Sequence, residues 1–207
     1  MNKDTKKTII SYPDKVRGRI RIKCYESNTI TLIHAHKNSI SFVSLNYNGS
    51  LVATASEIGT LIRIFNTENG SLLQEIRRGL DKAIIFDITF SNDNLLLSVS
   101  SNKKTIHVYS IENSFKEINQ NDSIKNIPSN NKSILSILPD FFFEGYFQSE
   151  WSFTKINLGY ENCLLGFVDD NCLIGVNPQG KYFRINLDLS KKGEYKVIEN
   201  KQILINS

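Results

Sequence analysis

Arg77-Arg78-Gly79 closes a strand-like run, Leu72-Leu73-Gln74-Glu75-Ile76, and precedes a second stretch of similar pattern. In an extended segment successive side chains point to opposite sides, so neighbouring arginines serve two separate sites, one on each flank. The flanks are furnished alike. Before the pair, Arg63 accompanies Ser56, Gly59 and Thr60, with His36 opening the stretch in preference to nearby His34; after it come Ser100, Ser101, Thr105 and His107. Arginine offers bidentate, charge-assisted bonds to a phosphate, and hydroxyls serve the remaining oxygens. These residue types suit the binding of a phosphorylated ring.

Bond-making chemistry has less to stand on. No GxSxG, HExxH, P-loop or GxGxxG occurs in a fitting context, and the three histidines have no evident Ser or Cys partner. Asp169-Asp170 reads as a turn pair between strands. Cys24, Cys163 and Cys172 are odd in number and lack CxxC spacing, so neither a disulfide framework nor a zinc site is expected, and a reducing compartment is the default. The expectation is a protein that is not an enzyme and holds no metal or cofactor. No run approaches the roughly 18 apolar residues of a membrane-spanning helix, and MNKDTKKTII lacks the apolar stretch of a secretory signal. A soluble or peripheral protein is expected.

The net charge of +4 over 207 residues is unevenly spread. Residues 1–111 carry fifteen Lys/Arg against nine Asp/Glu, whereas residues 112–207 carry ten against twelve. A basic surplus in one half points to an anionic partner for that half.

The elements that must position these residues are short strands. Ser39-Ile40-Ser41-Phe42-Val43-Ser44-Leu45 alternates and ends in the hairpin signal Asn46-Tyr47-Asn48-Gly49. LVATAS (51–56), TLIRIFN (60–66) and SLLQEIR (71–77) follow, separated by Gly- or Asn-containing breaks. The order then recurs at an offset of about 44: Ile40–Asn46 aligns with Ile84–Phe90, Leu51–Ser56 with Leu95–Ser100, and Leu61–Phe65 with Ile106–Tyr109. A period of this size with one internal strand order is the signature of four-stranded propeller blades. A degraded third copy runs from Cys163 to Ile185, and Ser11–Ile33 reads as two strands ending an earlier blade. The predicted fold is all-β, a propeller of about four blades: residues 1–35 end an incomplete blade, 36–79 and 80–158 are full blades, and 159–207 form the last. Within the third unit, residues 112–149 break the period. They begin polar and Asn-rich, a composition that forms no core, and end with Phe141, Phe142, Phe143, Tyr146 and Phe147 in seven positions.

SLNYNG (44–49), ATASE (53–57), GTLIRIF (59–65), LQEIRRG (73–79), SVSS (98–101), TIHVYS (105–110), LP (138–139), EWSF (150–153) and VNPQGKYFRI (176–185) together resemble the PROPPIN family, phosphoinositide-binding WD-repeat propellers of autophagy. The likeness runs over roughly residues 8–205. It implies a seven-bladed propeller of which this chain holds the C-terminal part, either as a fragment or as a reduced form with exposed strand edges. It also implies two headgroup pockets for phosphatidylinositol 3-phosphate and phosphatidylinositol 3,5-bisphosphate: His36, Ser56, Thr60, Arg63 and Arg77 in one, and Arg78, Ser100, Ser101, Thr105 and His107 in the other. The aromatic cluster at 141–147 would enter the bilayer or else pack on the body. Autophagy or lipid-transfer proteins are the implied partners, and preautophagosomal, endosomal or vacuolar membranes the implied location. A WD-repeat interaction scaffold without lipid binding is the competing expectation. Nucleic acid is disfavoured, because the basic residues are too sparse.

Overall fold

The computed structural model describes residues 7–111, 150–151, 154–158, 162–188, 193–194 and 199–202. Phe141, Phe142, Phe143, Tyr146 and Phe147 lie outside them. The described elements are all strands, arranged in four sheets. The first sheet is β1 (Ile9–Pro13), β2 (Arg19–Cys24) and β3 (Thr29–His34). The second runs β4 (Ile40–Leu45), β5 (Leu51–Ser56), β6 (Leu61–Asn66), β7 (Leu72–Arg77), each antiparallel to the last. In the third, β8 (Ile85–Phe90), β9 (Leu96–Ser101) and β10 (Thr105–Ser110) are joined by β12 (Thr154–Asn157). The fourth holds β13 (Leu164–Asp169), β14 (Cys172–Val176), β15 (Lys181–Asn186) and β17 (Glu199–Gln202). Two short strands seal outer edges: β11 (Glu150–Trp151) pairs parallel with β7, and β16 (Gly193–Glu194) pairs parallel with β12.

Successive sheets pack face to face in chain order, with β4 against β8 and β8 against β13. Strand alternation supplies the faces. On β6 and β7, Ile62, Ile64 and Ile76 turn toward the third sheet, where they meet Ile85, Ile88, Leu97, Val99 and Tyr109. Val52 and Phe65 turn the other way, onto Ile9, Ile20, Ile22 and Ile33 of the first sheet. Between the third and fourth sheets Ile106, Val108 and Ile156 pack on Leu173, Phe183 and Ile185. Burying apolar area at about 25 cal/mol per Å² across each such junction is what makes the sheets stack.

Two details differ from the sequence reading. The region Ser11–Ile33 was expected to hold two strands and lies within three, because β1 ends at Pro13 opposite Ile20, a strand end where proline costs no ladder bond. The repeat offset of 44 fits β6 and β10 but is one short for β4 with β8 and for β5 with β9. The turn from β9 to β10 is one residue shorter than that from β5 to β6, and Lys104 closes it with φ 58°. Ser56 therefore corresponds to Ser101, and a one-residue slip changes the face a side chain occupies.

Candidate functional site

Both arginines of the pair stand at the end of β7, and the strand sends them to opposite faces. Arg77 is opposite Leu61 in register and shares its face with Glu75 and Arg63, toward the first sheet. Arg78 follows on the other face, toward the third sheet, and is 5% exposed. The Tyr109 hydroxyl, itself fully buried, donates to the Arg77 carbonyl (3.3 Å) and fixes the backbone between them. Each arginine thus belongs to its own inter-sheet cleft.

In the first cleft His36 Nε2 lies 2.9 Å from Thr54 Oγ1, while His34 is exposed on the far side of β3. Burial, with the Arg63 cation adding to it, holds the His36 imidazole down to about 4, so it is neutral at pH 7. Arg63 is already engaged: Nε donates to Glu75 Oε2 (2.7 Å), Nη2 lies 2.7 Å from the same oxygen, and Nη1 donates to the Ala35 carbonyl (2.6 Å). Ser56 is buried, with its hydroxyl accepting weakly from Ile58 N (3.4 Å), and the Thr60 carbonyl accepts from Arg78 N (2.9 Å). The structure brings His36, Ser56, Arg63 and Arg77 to one face, as alternation requires. Thr54 and Glu75 join them. Glu75 was legible in principle, since it lies two residues before Arg77.

The second cleft is differently charged. Arg78 Nε donates to the Gly59 carbonyl (2.8 Å) and Nη2 to the Asp81 carbonyl. Among the described residues its guanidinium forms no ion pair, and Asp81 offers its backbone oxygen rather than its carboxylate. Burial lowers the Arg78 pKa, with Tyr109 and Asp81 opposing. His107 is 3% exposed; Nε2 lies 3.3 Å from Thr105 Oγ1, and Nδ1 is buried without a hydrogen-bond partner among the described residues. Burial, then the cations Lys155 and Arg78, hold this histidine down to about 3. Its ring stacks on Tyr109 at 6.1 Å. Ser101 and Thr105 face the same side by alternation. Ser100 does not: its hydroxyl donates to the Cys163 carbonyl (2.5 Å) of the fourth sheet. It meets Ser101 and Thr105 only at the end of the sheet, in a shallow depression shared with Lys104 and Asn162.

Glycines on either side of the pair have different reasons to be there. Gly59 has φ 65°, and a Cβ on it would lie 2.0 Å from the Ala83 carbonyl, so the connector from β7 to β8 crosses over bare backbone. At Gly79 a Cβ would meet nothing within 4 Å. Packing does not call for a glycine there. Among the described residues no group of His, Cys, Asp and Glu could hold a metal ion, and no helix is long and apolar enough to cross a membrane.

Four stacked sheets with paired cationic clefts at one end define an arc of a β-propeller. The PROPPIN family model matches residues 3–130, and the chain belongs to that family, of which phosphoinositide binding is a property. It is 32% identical over 94% of its length to autophagy-related protein 18e of Arabidopsis thaliana and 37% identical over 72% to SVP1-like protein 2 of Debaryomyces hansenii. It covers 50% and 37% of those proteins, respectively, so it spans half of their length or less. Hsv2 of Kluyveromyces lactis superposes with a TM-score of 0.74 and 29% identity, covering 95% of this chain and 60% of that one. Hsv2 of Kluyveromyces marxianus gives 0.72 and 29%, with 95% and 57% covered.

Proposed function

We propose that the chain is a non-catalytic, phosphoinositide-binding module whose two clefts each take a 3-phosphorylated inositol headgroup, as in phosphatidylinositol 3-phosphate or phosphatidylinositol 3,5-bisphosphate. The observation that carries this reading is Arg78. Among the described residues this buried cation is bonded to two carbonyl oxygens and has no carboxylate in ion-pair contact, a costly state that an incoming phosphate would relieve. Thr105 and Ser101 would donate hydroxyls, and neutral His107 would offer a ring N–H without adding a second buried charge. In the first cleft Arg77 would meet the phosphate, while Glu75 and the Ala35 carbonyl hold Arg63 beside it as a positioning group.

Two clefts on one chain make the second binding event intramolecular, which raises avidity without further contacts. The bound state would be peripheral to autophagy-related membranes, recruiting autophagy or lipid-transfer proteins. The sequence likeness to autophagy-related protein 18e supports that setting. Vesicle flotation tests the reading: wild type should float with vesicles containing phosphatidylinositol 3-phosphate, and Arg77→Thr/Arg78→Thr should not. Equal flotation of wild type with and without that lipid overturns it in favour of a protein-only scaffold.

A further inference from the structure

The connector from β7 to β8, residues 79–84, carries two apolar side chains into solvent beside the clefts. Leu80 is 65% exposed and Ile84 58%. Their backbone is tied down. Asp81 accepts from Arg78, Ala83 N donates to the Ile58 carbonyl (3.0 Å), and Ile84 exchanges bonds with Asn102, its N–H donating to Oδ1 and its carbonyl accepting from Asn102 N (3.1 Å each). The segment therefore holds Leu80 and Ile84 outward as a fixed feature. The connector shares its end of the sheets with exposed Lys82, Lys103 and Lys104, and with Lys15, Arg17 and Lys37 from the first sheet's turns. Among the described residues the exposed acids there are Asp81 and Glu57, the latter paired with Arg17 at 3.2 Å. At the opposite end the described turns carry Glu26, Glu68, Asp93, Asp169 and Asp170, against Lys7 leading into β1 and Lys23 bonded to Asn28 of the β2–β3 turn. The arc is thus charge-polarised along its strands, with the clefts and the two apolar side chains at the basic end.

We propose that this end is a bilayer-facing surface on which Leu80 and Ile84 seat into the apolar boundary of an anionic membrane, while Lys82, Lys103 and Lys104 rest among its headgroups. An anionic lipid surface matches both the sign of the charge and the apolar tips, because stable peripheral anchoring takes more than one signal. The proposal rests on the phosphoinositide reading and adds a contact that no headgroup makes. It is tested with Leu80→Ser/Ile84→Ser, whose changed side chains are exposed. Soluble inositol 1,3-bisphosphate, titrated by calorimetry, should bind the variant as it binds wild type. Partition onto phosphatidylcholine vesicles containing phosphatidylinositol 3-phosphate should fall on the order of tenfold. Equal partition of variant and wild type, with headgroup binding intact, overturns this inference alone. Wild type that binds neither the soluble headgroup nor the vesicles overturns the phosphoinositide reading and this surface with it.

Discussion

The two clefts flank one strand yet solve the problem of holding cations in different ways. In the first, Arg63 has an acid partner, Glu75, and side chains one-fifth to one-quarter exposed soften the desolvation of both. In the second, Arg78 is buried against carbonyl oxygens and faces a neutral histidine. The two clefts carry the same excess of one cation, Arg63 and Arg77 against Glu75 in the first and Arg78 alone in the second, but only the first holds a carboxylate in contact with a guanidinium among the described residues. An anion entering the first cleft must compete with Glu75 for Arg63, whereas at Arg78 it meets carbonyl oxygens instead.

Replacing Arg78 by Met should break this difference most. We expect headgroup affinity at the second cleft to fall by at least about tenfold, while thermal stability without ligand holds or rises, since a buried charge with no ion-pair partner among the described residues is removed with its volume kept. Calorimetric titration and thermal melting read the two quantities; a large loss of stability would show Arg78 to be a structural clamp instead. Acidification tests the histidines. Both are neutral in the fold and charge more readily when unfolded, so stability is full above about 6.5 and is lost as pH falls, toward about 4 for His36 and about 3 for His107. Each should contribute a slope of about 1.4 kcal/mol per pH unit inside its window. Asp87, raised by burial, works in the opposite sense. The readout is therefore the slope lost in His36→Gln and His107→Gln in chemical denaturation, the latter extending to lower pH.

Glu75→Gln should sharpen the comparison from the other side. Releasing Arg63 from its carboxylate is expected to strengthen anion binding at the first cleft about threefold and to cost less than about 1 kcal/mol of stability. No gain in calorimetric affinity would mean that Arg63 never reaches the ligand. The smallest effect is expected from Gly79→Ala, which has open space for its methyl. Its melting temperature should match wild type within error, and headgroup affinity should drop about twofold at both clefts, because the residue lies between them.

Much of this arrangement was legible because alternation is a local rule. Leu72–Arg77 reads as extended from its own residues, and once it is extended Arg77 and Arg78 must part. The order of strands in the second and third sheets follows from the recurring pattern for the same reason. Ser100 shows where the reading stops. Its assignment depended on counting across a turn that is one residue shorter in the third sheet and on a register shift between Ile85 and Asp87. Neither leaves a mark in composition, yet either one flips a side chain to the opposite face. Glu75 was overlooked although it sits on the correct face, because strand-borne acids ordinarily read as solvated. The pairings of β11 and β16 could not be read at all: each is two residues long and joins positions far apart in sequence.

Those two short strands also bear on how the arc comes apart. Propeller blades resemble links that touch only their neighbours, and such chains can melt one link at a time. Here a stretch that leads into β12 of the third sheet is stitched along the rim of the second, and a stretch from within the fourth is stitched along the rim of the third. Opening the last link pulls a stitch from the one before it, whose loosening frees the next. Heat or a protease acting at the C-terminal end should therefore register at Arg77, two sheets away in the chain, as a single cooperative failure.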